Sequence, residues 1–177
     1  LEVSLGAAAT AVIKRFDRII IIVHENTSYN KAMKDQYFGT NLTSRGALFT
    51  AYNALMYGNS YPEYMAMTGG ETYTKSVVDA TCIADLLEAK GLTWRNYLES
   101  YPGNCFLGDS DPYVERHSPF VTYKSIQNNK IRCNNGVVNL NQFNNDWKSG
   151  KLPTYSLVSP NQNHNGHAGD ISKGREW

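Results

Sequence analysis

Two adjacent polar residues near the beginning of the chain could do chemistry. Glu25 and Asn26 come just after the apolar run Ile19–Val23. A carboxylate and a carboxamide supply the oxygen ligands that divalent cations bind in proteins. The same pair also occurs in ordinary turns, where Asn caps the chain. The two residues therefore leave a metal site and a plain turn open.

A hydroxyl group occupies the predicted beginning of a helix, in the segment Ser60-Tyr61-Pro62-Glu63. One interpretation is a capping box, in which the Ser60 hydroxyl and the Glu63 side chain each bind a free backbone N–H group. The other is catalytic, because free N–H groups and the helix dipole stabilise a phosphoryl group at this position. A nearby cation would then activate Ser60 as a nucleophile.

The chain has four histidines, and three of them lie in its second half, at His117, His164 and His167. His164 and His167 flank Asn165-Gly166, just past a predicted strand, so both could face the same rim. Imidazoles bind metals and transfer protons near neutral pH. For any single histidine in a loop, simple exposure to solvent is the alternative.

The elements that must position these residues indicate an α/β fold. The segment Phe16–Val23 is rich in β-branched residues without polar alternation, which is typical of a strand covered on both faces in a parallel sheet. Helices and strands then alternate along the chain, which predicts a three-layer α/β/α sandwich with a mainly parallel sheet. Such sheets bind ligands beyond the carboxyl ends of their strands, where Glu25 lies. The other predicted strands are Leu92–Leu98 and Thr154–Val158, and the predicted helices run from about Ser60 to Gly69, Thr81 to Lys90 and Asn139 to Ser149.

Length and charge exclude several classes of protein. The chain has 177 residues, of which 41% are hydrophobic, so we expect a single domain over residues 1–177. The formal charge is +1 and neither sign is clustered, so nucleic acid is not an expected partner. No apolar stretch is long enough to span a membrane. Leu1–Thr10 lacks an initiator Met and a basic flank, which predicts a missing or processed N-terminus rather than an intact signal peptide.

Two glycosylation sequons begin at Asn26 and Asn41. Together with three cysteines, from which a disulfide could form, they favour a secreted, extracellular protein. We expect a glycan at Asn41, since a glycan at Asn26 would block the candidate metal site.

Several segments, taken in order, resemble the phosphoesterase family of fungal acid phosphatases and bacterial phospholipases C, a branch of the alkaline-phosphatase superfamily. The resemblance covers nearly the whole chain from Phe16 onward. The segments that carry it are Phe16–Tyr29, Ser60–Tyr64, Ile83–Trp94, Tyr113–Phe120, Leu152–Ser156 and Ser159–His167.

The resemblance implies a role for each candidate residue. The family's first metal ligands correspond to Glu25 and Asn26, which implies a divalent metal ion as cofactor. Its nucleophile, two residues before a Pro, corresponds to Ser60. Its histidines before Pro-Phe and at the end of Asn-Asp-Gly-His correspond to His117 and His167, which would contact phosphate or support the metal site. Related fungal enzymes carry cysteines near the positions of Cys105 and Cys133, so the resemblance also implies a disulfide between them.

This chain departs from the family at three places. Glu63 and Asn165 replace the family's usual Asn and Asp. Family members also continue beyond the position of Trp177 with further acidic metal ligands, so we expect a domain that is incomplete at its C-terminus. The resemblance implies metal-dependent hydrolysis of phosphate esters through a phosphoseryl intermediate. The alternatives are a non-catalytic structural or assembly protein, which could be oligomeric, and a module that binds phosphate or a lipid headgroup without turnover.

Overall fold

A four-stranded parallel sheet organises the computed structural model, which describes residues 16–56, 58–167 and 171–177. The strand order is β1-β4-β2-β3, and every neighbouring pair is parallel. Helices flank this sheet, which confirms the predicted α/β sandwich. The strands are β1 (Ile19–Ile22), β2 (Trp94–Leu98), β3 (Val137–Asn139) and β4 (Tyr155–Ser159).

Seven α-helices occur in the described residues, and most are short. The sequence predicts α2, α3 and α6 to within a few residues, but it misses α1, β3 and α7. The segment 102–135, predicted to be irregular, contains two 3₁₀ turns and two α-helices. The helices are α1 (Tyr29–Lys34), α2 (Ser60–Gly69), α3 (Ile83–Glu88), α4 (Lys124–Gln127), α5 (Lys130–Gly136), α6 (Asn141–Lys148) and α7 (Ile171–Glu176); the 3₁₀ turns are Thr43–Arg45, Glu115–His117 and Pro119–Thr122, and Tyr37–Leu42 is a π-helical turn.

The central strand β4 divides the apolar interior into two clusters. Tyr155 and Leu157 point into the larger cluster, which side chains from α2 to α5 complete. Val158 points to the opposite face, where it packs with Tyr97 and Leu152. This alternation follows from the pleat of the strand. All five residues of β4 are buried, so the strand fixes the centre of the fold.

Strand β1 lies at one edge of the sheet, and the prediction that it is covered on both faces is wrong for the described structure. Ile19, Ile20 and Ile22 are 41%, 38% and 53% exposed. Only one neighbouring strand, β4, pairs with β1 among the described residues. Ile21 and Val23 pack against the larger core. The apolar run therefore predicts the presence of the strand but not how far its side chains are buried.

Among the described residues, no helix has the length and apolar character that crossing a membrane requires. The absence of an intact signal peptide, predicted from Leu1–Thr10, lies outside the described residues.

Candidate active site

The carboxyl ends of β1 and β4 bring two distant polar segments together. Val23 donates its N–H to the Val158 carbonyl at 3.0 Å, which continues the pairing of the two strands. Beyond this point, Glu25 donates its N–H to the Asn165 carbonyl at 2.7 Å. Because parallel neighbours end at the same edge of a sheet, the Glu25 turn and the loop after β4 meet there.

The hydroxyl of Ser60 donates a hydrogen bond to Glu25 Oε2. Ser60 is the first residue of α2, and Asn59 caps this helix by accepting from the Tyr61 N–H at 3.3 Å. The predicted capping box of Ser60 and Glu63 is therefore wrong. The Glu63 carboxylate accepts instead from the Met56 N–H. The Ser60 hydroxyl is thus directed at the strand edge rather than at its own helix.

The Glu25 carboxylate is the centre of the cluster. Its Oε1 lies 2.8 Å from His167 Nδ1, and the Asn165 amide donates to the same oxygen at 3.3 Å. His117 Nε2 lies 3.1 Å from Oε1 without the alignment of a hydrogen bond, so this contact is electrostatic. Burial by itself would raise the pKa of Glu25, but the contacts with His117, Ser60 and His167 outweigh it and lower the pKa to about 2. Glu25 is therefore ionised at all ordinary pH values.

The ring of His117 is held by stacking rather than by hydrogen bonds. The residue ends the 3₁₀ turn Glu115–His117 and is 2% exposed. Its ring stacks on Tyr64, with centroids 4.9 Å apart and planes at 18°. Tyr64 follows Ser60 by four residues, so the two share a face of α2. In the described structure both His117 ring nitrogens and the Tyr64 hydroxyl lack a hydrogen-bond partner. Burial, with the charge of Glu25, raises the pKa of Tyr64.

His167 lies at the exposed side of the cluster. Its backbone N–H donates to Asn165 Oδ1 at 2.9 Å, and its side chain is 43% exposed. The Asn26 amide nitrogen lies 3.4 Å from His167 Nε2. Five predicted site residues thus meet in space: Glu25, Asn26, Ser60, His117 and His167.

Sequence reasoning missed two contributors. Asn165 was considered as a departure from the family pattern, yet it contacts both Glu25 and His167. Tyr64 was not considered, although its spacing of four residues from Ser60 is the signal that could have indicated it.

The other predicted positions lie away from this cluster. The remaining histidine of the chain, His24, packs edge-on against Phe38 and Trp177, with ring centroids 5.3 and 5.9 Å away. Asn41 is exposed within the π-helical turn. A disulfide joins Cys105 and Cys133, which are 28 residues apart and enclose His117.

The described residues fit part of a cation site. Glu25, Asn26 and Ser60 carry the oxygen atoms that a hard divalent ion binds. No group of three or more His, Cys, Asp or Glu side chains in the described ranges could hold a metal ion. A divalent ion takes about four to eight ligands, so these residues fit some of its coordination shell and not the whole.

Comparison with known proteins supplies independent evidence. The sequence model of the Phosphoesterase family matches residues 5–177. A probable acid phosphatase of Kluyveromyces lactis is 32% identical over 99% of this chain and 47% of its own length. An acid phosphatase of Aspergillus fumigatus is 29% identical over 92% of this chain and 39% of its own length.

A bacterial relative is also similar to the chain. A phosphatidylinositol-3-phosphatase of Mycobacterium tuberculosis is 27% identical over 98% of this chain and 58% of its own length. The chain therefore spans about half the length of the curated relatives it matches.

Proposed function

Since the chain belongs to the Phosphoesterase family, we propose that it contributes the nucleophile to metal-dependent hydrolysis of phosphate esters. The observation that carries this proposal is the hydrogen bond from Ser60, at the beginning of α2, to the ionised Glu25. A hydroxyl at a helix N-terminus beside two imidazoles is suited to phosphoryl transfer.

In the proposed reaction, the Ser60 hydroxyl releases its proton to solvent and Ser60 Oγ forms a bond to phosphorus, while the bond from phosphorus to the leaving oxygen breaks. The leaving oxygen takes up a proton, and the exposed His167 is placed to supply it. Water then attacks the phosphoseryl group, phosphate leaves, and Ser60 regains its hydroxyl proton. His117, whose ring nitrogens make no hydrogen bond among the described residues, is available to a phosphoryl oxygen.

Glu25 is unsuited to act as the base for Ser60, because a carboxylate with a pKa of about 2 holds a proton weakly. It is better suited to orient the hydroxyl and to bind a cation. With Asn26 and Ser60, Glu25 would hold a divalent ion, which when bound lowers the pKa of a ligated hydroxyl and offsets phosphate charge.

A second candidate function is binding of phosphate or a lipid headgroup without turnover. The observation that favours it is the lack, among the described residues, of a cluster of three potential metal-binding side chains. The same Ser60 cluster would bind the ligand in both cases, so only turnover separates the two functions.

Turnover of p-nitrophenyl phosphate by the purified protein tests the proposal. Replacing Ser60 with Ala should lower kcat by at least ~1,000-fold, because no other group can form the phosphoseryl bond. The matched control is Ser44→Ala, which removes an exposed hydroxyl bonded to the Asn41 carbonyl and should leave kcat unchanged. A chelator should abolish turnover, and a divalent metal salt should restore it. Phosphate binding without turnover in the wild type would favour the second function.

We also propose that the protein is secreted and carries a glycan at Asn41. The disulfide between Cys105 and Cys133 supports an oxidising compartment, and the Asn41 side chain is accessible. Enzymatic deglycosylation of material from the native source should reduce its mass, and Asn41→Gln should remove the same mass. An unchanged mass in both experiments would contradict the glycan.

A further inference from the structure

A second carboxylate lies at the same edge of the sheet. Glu99 directly follows β2, and its N–H donates to the Ser159 carbonyl of β4 at 3.1 Å. The Glu99 side chain contacts two residues of the loop that follows β4. Oε2 accepts from the Asn161 N–H at 2.9 Å, and Oε1 lies 2.8 Å from His164 Nδ1. Glu99 therefore holds the first half of the loop 161–167.

The second half of this loop is held by Glu25. Asn165 accepts from the Glu25 N–H through its carbonyl and donates to the Glu25 side chain. His167 contacts the same carboxylate through Nδ1. The loop 161–167 is thus fixed between two carboxylates that belong to different strands.

Hydrogen bonds within the loop connect its two halves. The Asn161 carbonyl accepts from the N–H groups of His164, at 3.1 Å, and Asn165, at 2.9 Å. Asn161 Oδ1 also accepts from the Asn163 N–H at 2.9 Å. A loop tied in this way moves as a unit, so a displacement at Asn161 changes the position of Asn165.

We propose that Glu99 and His164 are positioning residues for the hydrolysis, on which this inference rests. They hold the loop 161–167 in the register that places Asn165 and His167 against Glu25. Neither side chain contacts Ser60, so they act through the loop rather than on the substrate. A partly exposed pair such as Glu99 and His164 contributes little to stability, whereas a small misplacement of reacting groups can cost ~100-fold in rate.

Replacing Glu99 with Ala removes both anchors of the first half of the loop. We expect kcat to fall by about 10- to 100-fold with KM within about twofold, because positioning is lost and substrate contacts remain. Glu99→Gln keeps an oxygen that can accept from Asn161 and should restore part of the rate. The control is Glu88→Gln, which removes a partly exposed carboxylate that binds Trp94 and Arg132 far from the site. It should leave kcat unchanged.

A mutant cycle tests whether Glu99 acts through Asn165 and His167. In a background that carries both Asn165→Ala and His167→Ala, Glu99→Ala should lower kcat by less than about threefold, because the groups that it positions are already gone. An equal loss of rate in both backgrounds would overturn the proposal.

Ring nitrogen-15 shifts of His167 give a readout that does not need activity. The Glu99→Ala variant should shift the His167 Nδ1 signal toward that of a free imidazole, and the Glu88→Gln variant should not. An unchanged His167 signal in Glu99→Ala, or an unchanged kcat together with a shifted signal, overturns the positioning role.

Full activity of Ser60→Ala would instead refute the proposed function. The nitrogen-15 shifts of His167 would still show whether Glu99 holds the loop.

Discussion

Two carboxylates, the buried Asp146 and the partly buried Glu25, lie at opposite ends of the sheet and have different surroundings. Asp146 of α6 lies near the amino end of β2, where it accepts from Arg95, from the Tyr97 hydroxyl at 2.6 Å and from Gln142 at 3.0 Å. Arg95 also donates to the Asn135 carbonyl at 3.0 Å. The charge of Asp146 is thus balanced by a permanent cation and by neutral donors.

Glu25, at the carboxyl end, instead contacts a hydroxyl, an amide and two imidazoles. Beside it lie His117 and Tyr64, whose ring nitrogens and hydroxyl make no hydrogen bond among the described residues. Buried polar groups are nearly always satisfied in folded proteins, so such atoms indicate a place for a ligand or water. This difference supports the proposal that the Asp146 cluster is structural, whereas the Glu25 cluster binds the substrate.

The largest expected effect is on activity. Replacing Glu25 with Gln should lower kcat/KM by about 1,000-fold, because the variant loses the charge that orients Ser60 and that we propose binds a cation. Asp146→Asn should leave kcat/KM within about threefold. Steady-state kinetics on both variants checks this contrast, and a similar loss in the two would contradict it.

Removal of the disulfide should have the next largest effect. The Cys105→Ser/Cys133→Ser variant should lose about 3 kcal/mol of unfolding free energy, because the unfolded chain is no longer closed over 28 residues. Urea denaturation measures the loss. Cys82→Ala, which removes a buried free thiol and keeps the disulfide, should cost less. An equal cost for both would show that the cross-link is not the source of the stability.

The Asp146 network should contribute stability without activity. Asp146→Asn should lower the unfolding free energy by about 2 kcal/mol, since hydrogen bonds to a charged acceptor are lost and Arg95 is partly exposed. Chemical denaturation measures this. If Asp146→Asn left the unfolding free energy unchanged and reduced activity, the Asp146 cluster would be functional rather than structural, contrary to this account.

The smallest expected effect is the dependence of stability on pH. The pKa of Glu25 is lowered in the folded state, so its contribution is present above the unfolded value near 4.5 and is lost as pH falls towards about 2. The contribution should be about 1 kcal/mol, since Glu25 is only partly buried. Unfolding free energies measured between pH 6 and 2.5 should fall less steeply in Glu25→Gln. An identical pH dependence of unfolding free energy in the wild type and in Glu25→Gln would contradict the lowered pKa of Glu25.

Local patterns in the sequence predict the elements but not their distant contacts. The apolar run of β1, the helix beginning at Ser60 and the strands β2 and β4 can be predicted because each depends on neighbouring residues. The bond from Ser60 to Glu25 joins residues 35 apart, and that from Asn165 to Glu25 joins residues 140 apart. The periodicity of a sequence does not indicate which distant residues are in contact. The sequence alone therefore does not distinguish a helix-capping serine from a candidate nucleophile at Ser60.

The exposure of β1 cannot be predicted from the sequence for a related reason. Its residues are the same type as those of a central strand, and only the strand order places β1 at the edge. Glu99 could have been noticed from sequence, since it follows β2 as Glu25 follows β1, but its pairing with His164 depends on a loop 65 residues away.

The most direct test of the account is a search for a phosphoryl group on Ser60. The purified protein is mixed with p-nitrophenyl phosphate in the presence of a divalent metal, quenched in acid during turnover and analysed by intact and peptide mass spectrometry. The account predicts a phosphoryl adduct on the peptide that contains Ser60, absent from Ser60→Ala and retained in Ser44→Ala. Turnover without this adduct, or with an adduct on another residue, would contradict the central claim.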